Sequence, residues 1–224
     1  MAEFKVVEHF VSINGEGQHA GQLAFFLRLQ GCNLSCSYCD TMWANQRAVN
    51  YTVMSEEKIT QLFLSKNVNN ITITGGEPLY RKDMAILLDR LAKDCPKDTV
   101  IEIETNGSID LSDYYHIADN IIFTMDYKLP GSGMEQNMCH KNFSLLQKKD
   151  TVKFVISSQM DLYAAKEIMT RYHLTETTTV YFSPVFGKIE PKDIVAFMIN
   201  ENLNKVNLQL QMHKFIWDPD QKGV

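Results

Sequence analysis

Three cysteines, Cys32, Cys36 and Cys39, stand at C-x3-C-x2-C spacing directly after an apolar run at residues 24–29. Thiolates this close in sequence can converge on one inorganic centre, either zinc or an iron–sulfur cluster. Three thiolates are one short of closing a zinc tetrahedron or a four-iron cluster, so such a site keeps one position open for chemistry. The spacing alone leaves two other interpretations, a zinc knuckle with a distant fourth ligand or three unrelated thiols.

A second motif, Gly75-Gly76-Glu77-Pro78, follows an apolar run at residues 71–74. Glycines let a ligand approach the backbone closely, and a carboxylate can pair with an ammonium group. If the thiolates hold a [4Fe-4S] cluster, its fourth iron is free to take an amino-carboxylate chelate from a small molecule. S-adenosylmethionine, a cofactor of radical chemistry, has such a group.

The composition narrows the class of protein. The chain has 224 residues, 45% of them hydrophobic and 22% charged, which is typical of one globular domain with a sizeable core. The net charge of −5 indicates no strongly basic face, so nucleic acid is not an expected partner. Cys95 and Cys139 stand apart from the cluster, and the odd total of five cysteines favours free thiols over a disulfide framework.

The N-terminal sequence lacks the apolar core of a signal peptide. No segment approaches the ~20 apolar residues of a membrane span. We therefore expect a reducing, cytoplasmic setting and no membrane partner.

Strand and helix patterns alternate along the chain. Strands are predicted at residues 5–12, 24–30, 71–74, 100–104, 121–126, 152–156, 178–182 and 206–211. Helices are predicted at residues 55–66, 81–93, 111–118, 161–172 and 191–200, with residues 40–54 irregular. This alternation favours an α/β fold with a partial, open β/α barrel of about six parallel strands, because the steps are too few for an eight-fold barrel.

Five of these strands carry polar side chains on one face, unlike strands buried on both faces. The polar pairs are Arg28 and Gln30, Thr72 and Thr74, Glu102 and Glu104, Thr124 and Asp126, and Gln209 and Gln211. A polar, concave lumen explains them, and half-exposed strands are the alternative. Small or polar clusters also end most strands, and in parallel α/β folds such ends converge on one rim.

Arg28 lies in the middle of an apolar strand, where a cation is costly to bury unless it is paired. It therefore either forms an internal salt bridge or faces an anionic ligand. Glu16 lies in a loop with a glycine on either side, which suits close approach to a ligand or a plain hairpin turn.

The two motifs, in this order and spacing, resemble the radical S-adenosylmethionine superfamily. Residues 14–17 and 26–41 further resemble the 7-carboxy-7-deazaguanine synthases, a family of the queuosine pathway. The resemblance covers most of the chain and implies a single radical SAM domain over residues 1–224, with a C-terminal tail at residues 212–224. It also implies a [4Fe-4S] cluster, S-adenosylmethionine, Mg2+, a homodimer and a flavodoxin-type or similar reductant.

The activity that the resemblance implies is that of a radical SAM lyase of the carbon–nitrogen type. The substrate would be the pterin 6-carboxy-5,6,7,8-tetrahydropterin, a small molecule. Its ring would be contracted by radical chemistry to 7-carboxy-7-deazaguanine, with loss of ammonia.

The resemblance also assigns roles to residues by position. Cys32, Cys36 and Cys39 would bind the cluster, and Thr41 would bind Mg2+ with help from Asp40. The catalytic residues would be Arg28, which binds the substrate carboxylate, and Glu16. Other substrate contacts would be Ile13, Asn14, Gly15 and Thr74. S-adenosylmethionine would be held by Gly76, Glu77, Thr105, Asn106, Asp126, Tyr127, Lys128, Ser183, Pro184, Val185 and Phe186.

The chain departs from the family pattern at two places. Asn14 stands where many members have Gln, and residues 215–224 run on past a family-like ending. Whether His213 or Val224 closes over the substrate is open.

Two other functions remain as alternatives. A glycyl-radical-enzyme activase has the same cysteine spacing but needs an open cleft for a protein partner. An iron–sulfur electron carrier would normally use four cysteines.

Overall fold

The computed structural model describes residues 2–219 and 221–224, and it is organised around one nine-stranded sheet. The strands are β1 (Glu3–Ile13), β2 (Leu23–Leu29), β3 (Thr52–Ser55), β4 (Asn70–Gly75), β5 (Val100–Thr105), β6 (Ile121–Tyr127), β7 (Thr151–Ile156), β8 (Thr179–Pro184) and β9 (Val206–Leu208). Their order in the sheet is β3-β1-β2-β4-β5-β6-β7-β8-β9. Residues 1 and 220, which belong to the expected domain and its tail, lie outside the described residues.

Helices connect most of the parallel strands. They are α1 (Met42–Asn45), α2 (Glu56–Leu64), α3 (Met84–Asp94), α4 (Gln159–Arg171), α5 (Leu174–Thr177), α6 (Pro191–Asn200) and α7 (His213–Ile216). Short 3-10 turns lie at Pro78–Tyr80, Pro130–Ser132, Glu135–Asn137 and His140–Ser144. None of the helices among the described residues has the length and apolarity to cross a membrane.

The predicted α/β fold with an open, mostly parallel sheet is confirmed. From β2 through β4 to β9 each strand is parallel to its neighbour, whereas β1 runs antiparallel to both β2 and β3. The strand number is higher than the six expected. One reason is that β3 lies in a segment that was expected to be irregular, where it adds an antiparallel edge to β1.

Two local predictions were wrong. Residues 111–118 form successive turns instead of a helix, and the backbone N–H of Leu111 donates to the Asn142 side chain. The last strand ends at Leu208 and not at residue 211. The side chain of Gln209, the next residue, accepts from the Gly17 N–H at 2.9 Å and donates to the Gly17 carbonyl at 3.1 Å. That pair of bonds ties the end of the sheet to the loop after β1.

Strand β2 shows how the sheet separates core from site. Phe25, Leu27 and Leu29 are buried on the face covered by helices, where Phe25 packs against Phe63 of α2. Arg28, on the opposite face, lines a cavity. The predicted alternation of the two faces is therefore confirmed, and it sends the polar side chains of successive strands to one side.

Candidate functional site

A cavity of about 980 Å³ opens on the polar face of the sheet, within the size range of small-molecule sites. The expected polar lumen is confirmed. The members of the predicted polar pairs that line this cavity are Arg28, Thr74, Glu104, Thr124, Asp126 and Gln211. Thr72, Glu102 and Gln209 of the same polar pairs are buried instead.

The three clustered cysteines are free and half-buried, and all of them line this cavity. The backbone N–H of Leu34 and the side-chain amide of Asn106 donate to the Cys32 sulfur at 3.4 and 3.6 Å. Burial raises the pKa of the Cys32 and Cys36 thiols, and a bound metal reverses that preference because it stabilises the thiolate. Three thiols with N–H donors at one of them are a donor set that fits an iron–sulfur cluster.

Among the described residues, no three His, Cys, Asp or Glu side chains are gathered closely enough for a single metal ion. An iron–sulfur cluster does not need that spacing, because each of its thiolates binds a different iron.

Gly75 and Gly76 let the end of β4 lie against the cysteine loop. A Cβ at Gly75 would collide with the Leu29 carbonyl, and one at Gly76 would collide with the Gly31 carbonyl and the Asn45 side chain. The backbone N–H of Glu77 donates to the Gly31 carbonyl at 2.9 Å. The two glycines therefore allow close contact between the end of β4 and the segment that follows β2. Gly76 also lines the cavity.

We expect Gly76→Ala to lower the free energy of unfolding by about 2 to 3 kcal/mol, since the added methyl meets backbone that cannot move freely. It should also weaken S-adenosylmethionine binding, because the cysteine loop shifts. Chemical denaturation and ligand titration of the reconstituted protein measure the two effects. Gly133→Ala is the control: its φ of 74° costs about 1 to 2 kcal/mol, but no atom lies within 4 Å of the added methyl. Equal ligand affinity in both variants would contradict the prediction.

Glu77 is 1% exposed and does not line the cavity. Its carboxylate accepts from the N–H of Leu79 at 3.0 Å, the hydroxyl of Thr105 at 2.9 Å and the N–H of Asn106 at 2.6 Å. Burial raises the pKa of Glu77 to about 7 against the lowering effect of these bonds. The side chain thus fixes the end of β5, and its expected contact with S-adenosylmethionine stays a prediction.

The residues assigned to S-adenosylmethionine divide into two groups. The first group lines the cavity and comprises Gly76, Thr105, Asn106, Asp126, Lys128, Val185 and Phe186. Tyr127 points the other way, because side chains alternate along β6, and its ring packs on Phe143 and Phe154. Ser183 and Pro184 are buried and do not line the cavity.

Four charged side chains of the cavity form a row that alternates in sign. Lys128 lies 3.0 Å from Asp126, and Lys153 lies 3.8 Å from the same carboxylate and 3.1 Å from Glu16. Burial alone would raise the pKa of Glu16, but the Lys153 ammonium outweighs it and holds that pKa below its usual value. The pKa of Lys153 lies above its usual value, because the carboxylates of Glu16 and Asp126 outweigh the lowering effect of burial.

The side chain of Asn14 forms part of the floor beneath the cavity. It is 2% exposed, accepts from the Thr72 hydroxyl at 2.8 Å and donates to Glu102 at 3.5 Å. The Thr124 hydroxyl donates to the other Glu102 oxygen at 2.6 Å. The amide is therefore engaged inside the protein, whereas Ile13 and Gly15 on either side of it line the cavity.

Burial, reinforced by the charge of Glu104, raises the pKa of Glu102 from 4.5 to about 7. The folded state then binds more protons than the unfolded state between these values, so this carboxyl makes stability fall as pH rises from 4.5 to 7. We expect Glu102→Gln, which resembles the protonated acid, to match the unmodified protein near pH 5. At pH 8 it should be more stable by about 1 to 3 kcal/mol.

Chemical denaturation at several pH values measures this difference. Glu57→Gln on the exposed face of α2 is the control, and its stability should parallel that of the unmodified protein across the range. If the stability of Glu102→Gln also parallels that of the unmodified protein across the pH range, the raised pKa of Glu102 is contradicted.

Arg28 satisfies both interpretations that its sequence position allowed. Its Nε donates to Glu8 of β1 at 2.8 Å, and its side chain also lines the cavity. Among the described residues, its two terminal amino groups make no hydrogen bond. They leave a planar pair of donors of the kind that binds a carboxylate.

The C-terminal segment contributes residues to the cavity. His213 and Val224 line it, as does Lys222, whose ammonium lies 4.1 Å from the centre of the Trp43 ring. The N–H of Met212 donates to the Gly15 carbonyl at 3.2 Å, which fixes His213 beside the loop that carries Glu16. Thr41 and Asp40 also line the cavity, next to the cysteines.

Among the charged strand residues that line the cavity, the site prediction missed three, namely Glu8, Glu104 and Lys153. Glu104 had a usable signal, since it belongs to the polar face of β5. Lys153 had the same signal as Arg28, a cation between buried apolar neighbours. Glu8 had no comparable signal, because β1 is half-exposed and polar at several positions.

Comparison with known proteins gives three kinds of match. The Radical SAM superfamily model matches residues 27–125. The 7-carboxy-7-deazaguanine synthase of Clostridium acetobutylicum is 50% identical over 221 residues, covering 99% of each chain. That of Chlorobaculum tepidum is 33% identical and covers 100% of this chain and 98% of its own. The crystal structure of QueE from Escherichia coli superposes with a TM-score of 0.75 over 94% of this chain and 95% of that one, at 21% identity.

The structural match supports the fold alone at this level of identity, and the sequence matches extend over the cysteine loop, the sheet and the tail. The match at 50% identity extends over 99% of both chains. The chain therefore belongs to the 7-carboxy-7-deazaguanine synthase family, within the radical SAM superfamily.

Proposed function

We propose that this protein converts 6-carboxy-5,6,7,8-tetrahydropterin to 7-carboxy-7-deazaguanine with loss of ammonia, as a radical SAM lyase of the carbon–nitrogen type. The observation that carries the proposal is one cavity with two kinds of wall. Three thiols and the Asp126–Lys128 strand end form one wall, and Arg28, Thr74 and Glu16 form the other. Family membership supplies the identity of the reaction.

The proposed cofactors are a [4Fe-4S] cluster on Cys32, Cys36 and Cys39, and S-adenosylmethionine on the strand ends beside it. When bound and reduced, they supply hydrogen-atom abstraction. The chain's own contribution is to place the pterin next to them and to exclude water from reactive species. Asp126 and Lys128 present a carboxylate and an ammonium to S-adenosylmethionine, and Asn106 adds an amide.

On the substrate side, the Arg28 guanidinium binds the pterin carboxylate with its two free amino groups. Glu16 accepts hydrogen bonds from nitrogen-bound hydrogens of the ring, and Thr74 adds a hydroxyl. The backbone of Ile13 and Gly15 borders the same space. These contacts bind and orient the substrate, which is how positioning lowers the barrier to the chemical step.

Mg2+ belongs to the proposal as well, with Thr41 as its protein ligand and Asp40 beside it. Both residues line the cavity, and oxygen ligands suit a hard cation that keeps substrate and water oxygens in its shell. The remaining parts of the proposal are a homodimer, a flavodoxin-type or similar reductant, and a cytoplasmic setting. They rest on the family resemblance and on the cysteine usage of the chain.

Anaerobic reconstitution tests the function directly. The protein is loaded with iron and sulfide and given the pterin, S-adenosylmethionine, Mg2+ and dithionite, and the products are identified by mass. We expect 7-carboxy-7-deazaguanine and ammonia in equal amounts. Unchanged pterin under these conditions would contradict the proposal and favour the glycyl-radical-enzyme activase, which acts on a protein.

A further inference from the structure

Lys153 is a buried cation that none of the roles described above uses. It lies in β7 between Val152 and Phe154, and it is 8% exposed. Its position in the sheet is opposite Asp126 of β6, which brings its ammonium within reach of the Asp126 carboxylate. A lysine buried this deeply loses its hydration, so the protein retains it only where nearby carboxylates stabilise the charge.

Its closest contact is Glu16, whose carboxylate is held from several directions. Lys153 Nζ lies 3.1 Å from Oε2, and the Ser183 hydroxyl donates to Oε1 at 3.1 Å. The Gln211 side chain donates to Oε2 at 3.4 Å. Glu16 itself lies in the loop that follows β1, so these contacts from other parts of the fold determine where its carboxylate points.

The same ammonium connects the two walls of the cavity. Its 3.8 Å approach to Asp126 places it between the carboxylate assigned to S-adenosylmethionine and the one assigned to the pterin. Asp126 Oδ1 is buried and has no hydrogen-bond partner among the described residues, so the two lysine contacts at Oδ2 are the ion pairs that hold this carboxylate. Lys153 is thus the junction of the row Lys128–Asp126–Lys153–Glu16.

We infer that Lys153 is the positioning residue of the pterin subsite, which keeps Glu16 ionised and oriented as a hydrogen-bond acceptor and ties it to the Asp126 wall. The inference rests on the proposed function and assigns a role that Arg28 and the cysteines do not fill. A purely structural ion pair would also explain the burial, so the test must measure something that stability alone does not change.

The dependence of pterin affinity on pH makes that distinction. In the unmodified protein the Lys153 ammonium keeps Glu16 ionised across the neutral range. Without it, burial raises the pKa of Glu16, and the negative charges of Glu102 and Glu104 nearby act in the same direction. The acceptor is then lost as pH falls toward that raised pKa, at a higher pH than in the unmodified protein. His213 also faces Glu16, but it is present in every variant, so its titration is common to all of them.

The experiment compares pterin dissociation constants by calorimetry between pH 6 and 8, on cluster-loaded protein with S-adenosylmethionine present. We expect Lys153→Met to bind the pterin about tenfold more weakly at pH 8, with a loss of about a further tenfold toward pH 6. Lys153→Arg should retain most of the affinity. Lys166→Met, which removes a cation paired with Glu201 on the helical side of the sheet, should leave the affinity unchanged.

The double variant Glu16→Gln, Lys153→Met removes both charges and so leaves no unpaired carboxylate if the single variant folds poorly. Its pterin affinity should be weak, and that affinity should depend on pH no more strongly than the affinity of the unmodified protein does. A single variant that binds like the unmodified protein at every pH, or a double variant that keeps the extra slope, overturns the inference alone. An unmodified protein that does not bind the pterin overturns the proposed function, and this inference with it.

Discussion

Replacing any one of Cys32, Cys36 and Cys39 by alanine is expected to abolish turnover and to remove the iron–sulfur absorbance of the reconstituted protein. Each cysteine would supply one of the three thiolate ligands of the proposed cluster, and no other cysteine of the described residues lines the cavity. A cluster left with two thiolates has two open irons, so it is lost or changes type. Without it the protein would lack the one-electron donor that the proposed radical chemistry requires.

The matched control is the double variant Cys95→Ala, Cys139→Ala. Cys95 is buried at the end of α3, where burial and the charge of Asp94 raise its pKa to about 11. Cys139 begins a 3-10 turn and does not line the cavity. We expect iron content, absorbance and turnover of this variant to match those of the unmodified protein. Loss of the cluster in the control would restore the four-cysteine electron carrier as the better hypothesis.

The polar lumen could be predicted from the sequence because strand geometry has a period of two. Once Arg28, Thr74, Glu104 and Asp126 are assigned to strands, their side chains must point to one face. The same rule excludes Tyr127 from the lumen, since it lies between Asp126 and Lys128. The family resemblance nevertheless assigns Tyr127 to S-adenosylmethionine, because it covers residues 126–128 as one continuous segment.

The contacts of Asn14 and Glu77 could not be predicted in this way. Both residues lie in motifs that indicate ligand binding, yet both side chains are satisfied inside the protein. The partner of Asn14 is Glu102, 88 residues away, and a partner of Glu77 is Thr105, 28 residues away. These contacts depend on the register of neighbouring strands, and the motifs themselves do not encode that register.

A cation between apolar neighbours in a strand is a sequence signal that this chain shows more than once. Lys153, a cation between Val152 and Phe154, has the same sequence signal as Arg28. Both ammonium and guanidinium groups need a carboxylate partner when they are buried. In the structure those partners are Glu8 and Glu16, and both ion pairs face the same cavity.

The second large effect is expected at Arg28. Arg28→Ala should raise the Michaelis constant for the pterin by roughly 10- to 150-fold, the range that corresponds to a lost charged hydrogen bond of about 1.5 to 3 kcal/mol. The terminal amino groups of this guanidinium face the cavity, so their removal leaves the substrate carboxylate without its cation. The cluster absorbance should not change, because Arg28 makes no contact with the cysteines among the described residues.

Two further variants separate binding from packing at this position. Arg28→Lys keeps the charge but loses the planar pair of donors, so we expect an intermediate Michaelis constant. Glu8→Gln keeps Arg28 but weakens the ion pair that orients it at 2.8 Å, and it should raise the Michaelis constant only a few-fold. If Arg28→Ala leaves the Michaelis constant unchanged while Glu8→Gln and Arg28→Ala lower stability equally, Arg28 serves only the β1–β2 pair. In that case the pterin carboxylate must be bound by another cation of the cavity, and Lys188 and Lys214, which also line it, become the next residues to replace.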